Sequence, residues 1–124
     1  MARGADLPAQ IDHIGLIGNF LPRKCGIATY TTDTYNALRA RFPDMRVDVW
    51  AMDDHPGRYA YPPEVTGPIP QQERSAYLGA ARVIEASGAQ AIWVQHEYGI
   101  YGGAAGEYLV ALLERTKLPG IATL

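Results

Sequence analysis

His13-Ile14-Gly15-Leu16-Ile17, followed by Phe20-Leu21-Pro22-Arg23-Lys24-Cys25-Gly26-Ile27-Ala28-Thr29-Tyr30, is an apolar strand that enters a helix through a long, basic, glycine-containing loop. Loops joining a strand to a helix commonly take about 2 to 6 residues, so the length here asks for a reason. The first turn of a helix leaves backbone N–H groups without intrahelical acceptors, and the helix dipole adds positive potential at the same end. A phosphate suits such a junction. Arg23 and Lys24 read as mobile cationic donors beside it, with Cys25, Gly26 and Ile27 completing the loop. The alternative is an irregular surface connection with solvated charges.

Outward from this stretch, three more segments read as short strands with apolar centres: Val47 to Ala51, Ala91 to Gln95, and Gly120 to Leu124. Ile27, Tyr30, Thr34, Leu38 and Phe42 recur at helical spacing until Pro43 stops the pattern. A second helix is predicted from about Gln71 to Ser87, with Tyr77, Ala80, Ala81 and Ile84 on one stripe and Gly88 suited to close it. A third is predicted from about Ala104 to Thr116, with Ala105, Leu109, Leu112 and Leu113 on its apolar face. Strands alternating with helices of this length imply right-handed βαβ units and a mostly parallel sheet with helices on both faces. The expected fold class is α/β, Rossmann-like. Between Asp53 and Pro70 the chain is rich in proline and glycine, which argues against continuous regular structure beyond a short edge strand at Glu64-Val65-Thr66. Residues 1–12 read as a loose leader, and 13–124 as one domain.

The chain has 124 residues, 48% of them hydrophobic, which suits one domain with one sizeable core. Its net charge of −2 and scattered basic residues give no electrostatic footprint for nucleic acid or an anionic membrane. No apolar run approaches the roughly 18 residues that cross a bilayer, and no secretory signal opens the sequence, so a cytoplasmic location is expected. The lone Cys25 has no second cysteine for a disulfide or a metal knuckle, in keeping with a reducing compartment.

In open α/β sheets, ligands sit beyond the carboxyl ends of the strands near the switch in strand order. That points to the first loop and to His96-Glu97-Tyr98-Gly99-Ile100-Tyr101-Gly102-Gly103, which follows the strand ending at Gln95. No G-x-G-x-x-G and no Gly-Lys-Ser/Thr occurs, which disfavours a dinucleotide or Walker site. His96 can donate to or accept from a sugar hydroxyl, Glu97 can orient a hydroxyl-rich ligand, and Tyr98 offers an aromatic face. Gly102 and Gly103 either expose backbone N–H groups to a ligand or simply make a tight turn. Cys25 at a helix N-terminus beside cations invites a thiol-nucleophile reading with His96, against the plainer one of a small side chain packed under the loop. Asp53-Asp54-His55 holds metal-ligand residue types, but adjacent side chains in extended chain diverge, so turn residues are the preferred reading.

Pro22-Arg23-Lys24-Cys25-Gly26-Ile27-Ala28-Thr29-Tyr30, Tyr61-Pro62-Pro63-Glu64-Val65, and Gln95 through Gly103 together resemble the amino-terminal domain of bacterial family 4 retaining glycosyltransferases. The likeness runs from about His13 to Leu124. It implies the GT-B architecture, in which two Rossmann-like domains face each other across a cleft and the amino-terminal one mainly receives the acceptor. It also implies that the Lys24-Cys25-Gly26 loop approaches the diphosphate of a nucleotide-sugar donor, like the Lys-x-Gly-Gly loop of glycogen and starch synthases. Ile27 departs from that pattern by placing a side chain where a second glycine would stand. His96 and Glu97 match the family's strand-end His-Glu on the acceptor side. The His-Thr that the family carries after its counterpart of Leu124, and the carboxyl-terminal donor domain, are not in this sequence, so a fragment is expected.

The resemblance thus implies the acceptor-side domain of a metal-independent hexosyltransferase without a cofactor. Its substrates would be a nucleotide-sugar and a hydroxyl acceptor, and the chain by itself would be inactive. A non-catalytic α/β module binding a phosphorylated metabolite or a protein partner is the alternative, and a thiol hydrolase using Cys25 and His96 is a third reading. Apolar surface that would meet the missing parts is expected to favour self-association.

Overall fold

The computed structural model describes residues 11–97 and 99–123. Five strands form one all-parallel sheet in the order β3-β2-β1-β4-β5, with β1 His13–Gly18, β2 Arg46–Asp53, β3 Val65–Pro70, β4 Ala91–Gln95 and β5 Gly120–Thr123. Three helices connect them: α1 Gly26–Arg41, α2 Arg74–Ser87 and α3 Glu107–Thr116. The expected α/β, Rossmann-like sheet with helices on both faces is the observed one. Among the described residues no helix is long and apolar enough to cross a membrane.

The alternation of side chains along each strand divides the core. Ile14, Leu16, Val47, Val49 and Ala51 pack on one face with Tyr35 and Leu38 of α1. On the other face Ile17, Trp50, Met52, Ile92 and Val94 pack with Tyr77, Ala80, Ala81 and Ile84 of α2 and Leu109 and Leu112 of α3. The predicted stripes of α2 and α3 are therefore the buried ones, apart from Ala105, which is exposed in the turn before α3. α1 differs. Its buried positions are Ala28 and Thr31, whereas Tyr30 and Phe42 are exposed. Ile27 and Leu38 of the expected stripe do pack inward, but Ala28 and Thr31, which carry little apolar signal, take the most buried positions.

The stretch between Asp53 and Pro70 is more regular than its prolines suggest. β3 runs six residues beside β2. The N–H of Gln71 donates to Asp53 O at 2.8 Å, and alternation along the strand then turns the nitrogens of Pro68 and Pro70 away from β2, where no donor is needed. A Cβ on Gly67 would lie 3.1 Å from the Trp50 ring, so glycine makes room for the indole. Because the N–H of Gln71 serves the sheet, α2 begins at Arg74 rather than Gln71. It closes at Gly88 with φ +88°, as its glycine foretold.

α3 likewise starts late. Ala104–Gly106 form a 3-10 turn in which Ala105 has φ +54°, and the helix proper begins at Glu107. Of the leader expected over 1–12, residues 1–10 lie outside the described residues. Asp12 already belongs to the sheet margin, since its N–H donates to Gln90 Oε1 at 2.8 Å and its carbonyl accepts from Arg46 N at 2.8 Å. Leu124, expected as the end of the last strand, also lies outside the described residues.

Candidate functional site

Strand order decides where a ligand can sit. The chain steps outward from β1 to β2 to β3, then crosses over to β4 and β5 on the other side, so the switch falls between β1 and β4. Loops leaving the carboxyl ends of two neighbouring strands diverge there and leave a crevice. The loop after β1 carries Arg23 to Ile27, and the loop after β4 carries His96 to Gly103. Both candidate stretches therefore rise from the same end of the sheet, on adjacent strands. Gln95 ties that end together: fully buried, it donates from Nε2 to Thr34 Oγ1 of α1 at 3.0 Å and accepts from Trp93 Nε1 at 3.3 Å. Trp93 Nε1 also donates to Thr123 Oγ1 of β5 at 2.9 Å.

Within the first loop the two cations part company. Arg23, with a side chain only 15% exposed, donates through Nη1 to Asn19 Oδ1 at 2.9 Å and Met52 O at 3.3 Å, and pairs through Nη2 with Asp54 Oδ2 at 3.6 Å. It is held against the end of β2 and is not the mobile donor expected. Lys24 is exposed, with no ion pair among the described residues. Cys25 is the N-cap of α1: in extended backbone (φ −160°, ψ 163°), its Sγ accepts from Ala28 N at 3.4 Å and from Asn19 Nδ2 at 3.5 Å. Both contacts are donors, and among the described residues no base hydrogen-bonds the sulfur. Sequence reasoning offered a packed or nucleophilic thiol and missed the capping role, because sulfur is a weak acceptor and an uncommon cap.

The cap leaves the N–H groups of Gly26 and Ile27 without acceptors among the described residues. A Cβ on Gly26 would meet nothing within 4 Å. Among the described residues nothing therefore requires glycine at position 26, which is exposed. Ile27 is half-buried and packs against the core on the α2 and α3 face.

The second loop has a small pocket of about 150 Å³ lined by His96, Glu97, Gly99, Tyr101, Gly103 and Ala105, among others. His96 is held in place. Its N–H donates to Thr123 O at 2.8 Å, and its ring stacks on Tyr101 with centroids 5.9 Å apart. Tyr101 is buried and donates its hydroxyl to Gln95 O at 2.8 Å; burial raises its pKa well above the usual phenol value, so it remains a donor. Glu97 is exposed at the rim, and Tyr98 lies outside the described residues.

The diglycine serves packing. Gly102 N–H donates to the Tyr77 hydroxyl at 2.9 Å, and a Cβ on Gly102 would fall 1.9 Å from Gln71 O. That N–H is not offered to a ligand, contrary to the ligand-facing reading of this pair. Gly103, at φ +80°, leaves no room for a Cβ against Tyr108 and Glu107. Tyr77 returns a hydrogen bond to Gln71 O at 2.9 Å, and Gln71 Nε2 reaches Gly99 O at 2.7 Å, so the loop after β4 is latched to the start of α2.

Asp53-Asp54-His55 is a turn, as the preferred reading held. Asp53 Oδ1 accepts from His55 N at 2.9 Å, an Asx turn, while Asp54 accepts from the Tyr59 hydroxyl at 2.9 Å. Among the described residues no three His, Cys, Asp or Glu side chains gather in one place. Tyr61, between this turn and the core, has a buried hydroxyl without a hydrogen-bond partner among the described residues. Burial, with Asp53 nearby, raises its pKa. Of the residues that position the two loops, Asn19 was not named from sequence, Thr34 and Tyr77 were read only as helix-stripe positions, and Gln95 as a strand end. The one signal was a glutamine ending an apolar strand.

No protein-family model matches this sequence, and no curated protein is significantly similar to it.

Proposed function

We propose that this chain is the acceptor-side domain of a retaining glycosyltransferase, in which the N-terminus of α1 with Lys24 receives a donor diphosphate and the His96–Glu97 pocket receives a hydroxyl of the acceptor. The observation that carries the reading is the pair of N–H groups at Gly26 and Ile27, which have no acceptor among the described residues and start α1 beside an exposed Lys24, after β1, the strand next to the one that leads into the His96 pocket. N–H groups fixed in advance near a departing diphosphate stabilise its growing negative charge without reorganising as the glycosidic bond breaks. Arg23 acts at one remove, by holding the loop against β2. The greater part of the nucleotide contacts would come from a second domain closing over this end of the sheet, which would also exclude water.

A non-catalytic module for a phosphorylated metabolite draws support from a different observation. Arg23 and the Gly102 N–H are both consumed internally, which leaves few polar groups to do chemistry. One titration separates the two readings. Amide spectra of the chain are recorded with pyrophosphate, with a panel of nucleotide-sugars, and with simple phosphorylated metabolites. The transferase reading expects shifts at Gly26, Ile27 and Ala28 with pyrophosphate and nucleotide-sugars, at about millimolar affinity, lost in Lys24→Ala. Micromolar affinity for a phosphorylated metabolite without a diphosphate would favour the binding module, and unmoved amides at Gly26 and Ile27 with every anion would end both.

A further inference from the structure

Gln95 is fully buried on β4, in line with Ala91 and Trp93 on the face that α1 covers. A buried amide costs free energy wherever its donors or its acceptor stay unpaired, while a leucine or methionine would fill the space without that cost. Packing therefore gives no reason for an amide, but its bonds give one. Nε2 donates to Thr34 Oγ1 at 3.0 Å, two turns into α1, and the main-chain carbonyl accepts from the hydroxyl of Tyr101, whose ring stacks on His96. Gly18, at the end of β1, makes the first of these bonds possible. A Cβ there would lie 2.9 Å from Thr31 Oγ1 and 3.0 Å from Gln95 Cβ, so glycine lets α1 come down on β4. The single indole N–H of Trp93 is divided between Thr123 Oγ1 at 2.9 Å and Gln95 Oε1 at 3.3 Å. Thr123 O in turn accepts from His96 N at 2.8 Å. None of these residues is exposed.

We propose that Gln95 is a positioning residue that couples α1 to the loop carrying His96, so that a ligand engaging the N-terminus of α1 changes the setting of the His96 pocket. The shared indole proton supplies the two arrangements that such coupling needs. With α1 seated on β4, Gln95 Oε1 holds part of that proton. When an anion draws α1 outward, the amide follows Thr34, Oε1 leaves Trp93, and the proton goes wholly to Thr123, the residue whose carbonyl accepts from His96 N. A small shift suffices, because the bond from Trp93 to Gln95 is already long at 3.3 Å. Linkage makes the effect reciprocal, so a ligand in the His96 pocket alters anion affinity at α1 by the same factor. The inference takes its ligands from the proposed function, but the bonds that carry it are independent of sugar transfer.

Magnetic resonance of the full 124-residue chain tests the coupling with and without ligand. Thr34→Val removes the acceptor of Gln95 Nε2 and keeps the shape, whereas Thr34→Ser keeps the hydroxyl. Without ligand, Thr34→Val is expected to move the Trp93 indole N–H and His96 ring resonances. It should also quicken amide exchange at residues 99–101 by about fivefold, the effect of one net hydrogen bond, with α2 unchanged. Thr34→Ser should restore the wild-type values. If Thr34→Val folds poorly, the double variant Thr34→Val/Gln95→Met, which replaces both partners by apolar groups, has the same expected result. With pyrophosphate as the probe, shifts at Gly26 and Ile27 should be accompanied in the wild type by shifts at the Trp93 indole N–H and the His96 ring, and the double variant should keep the first and lose the second. The proposal is overturned if Thr34→Val leaves Trp93, His96 and residues 99–101 as in the wild type, or if Thr34→Ser disturbs them equally. It is also overturned if pyrophosphate moves Gly26 and Ile27 alone in the wild type. Amides at Gly26 and Ile27 that no anion moves count against the proposed donor loop, and the ligand-free comparison then decides the coupling by itself.

Discussion

Tyr77→Phe removes one oxygen from the interior and leaves the ring in place, so its effect isolates the latch between α2 and the loop after β4. The hydroxyl donates to Gln71 O at 2.9 Å and accepts from Gly102 N at 2.9 Å. Both partners lose their bond in the variant. A net hydrogen bond contributes about 1 kcal/mol, and a buried group left unsatisfied costs about 1 to 3 kcal/mol. The loss should therefore lie at about 2 kcal/mol if water reaches Gln71 O, rising to about 4 if the Gly102 N–H stays dry. Tyr101→Phe is the internal control: among the described residues its buried hydroxyl serves only Gln95 O, and its removal should cost about 1 kcal/mol. Urea unfolding measures both, and with a slope of about 1 to 3 kcal/mol per molar the Tyr77 midpoint should fall by roughly 1 M. Amide exchange at residues 99–103 should quicken in Tyr77→Phe alone. Equal destabilisation by the two variants, within about 0.5 kcal/mol, would refute the two-partner argument.

Four further outcomes follow from the same geometry. Gly102→Ala should lose about 2 to 3 kcal/mol, because the Gln71 backbone carbonyl in its way cannot rotate aside. Gly26→Ala should be neutral or gain up to about 1 kcal/mol while weakening pyrophosphate binding, and thermal melts with an anion titration check both. Arg23→Gln, which gives up the Asp54 pair, should cost about 1 to 2 kcal/mol, whereas Lys24→Ala should stay within about 0.5 kcal/mol by the same urea assay. Stability should hold steady up to about pH 10 and decline above it. Tyr61, Tyr77 and Tyr101 have folded pKa values raised above the ordinary 10.0, so their protonated forms favour the fold until the unfolded chain ionises first. Ultraviolet titration should show these phenols resisting ionisation, and eight tyrosines titrating together near pH 10 in the folded protein would contradict it.

The parallel sheet, the helices α2 and α3 with their buried stripes, and the glycine that ends α2 were legible in the sequence, because each depends on a short local period or one residue's backbone preference. α1 was only partly legible, since its most buried residues, Ala28 and Thr31, carry little apolar signal while its outward Tyr30 and Phe42 carry much. Only the start of β3 was read, as a short edge strand at Glu64-Val65-Thr66, because proline disqualifies a strand only on the side that must donate, and which side that is depends on the neighbour. The same limit applied at the site. The chain announced a basic loop and a strand-end His-Glu, but not that Arg23 is held by Asn19, Met52 and Asp54. Nor did it announce that Cys25 caps α1, or that the Gly102 N–H answers to Tyr77.

What sequence alone determined was the kind of elements and the two loops that the structure places at one end of the sheet. Tertiary structure decided which polar groups there are already satisfied and which are left open. A hydrogen-bond partner far along the chain is chosen by strand order and packing, and no local pattern records that choice.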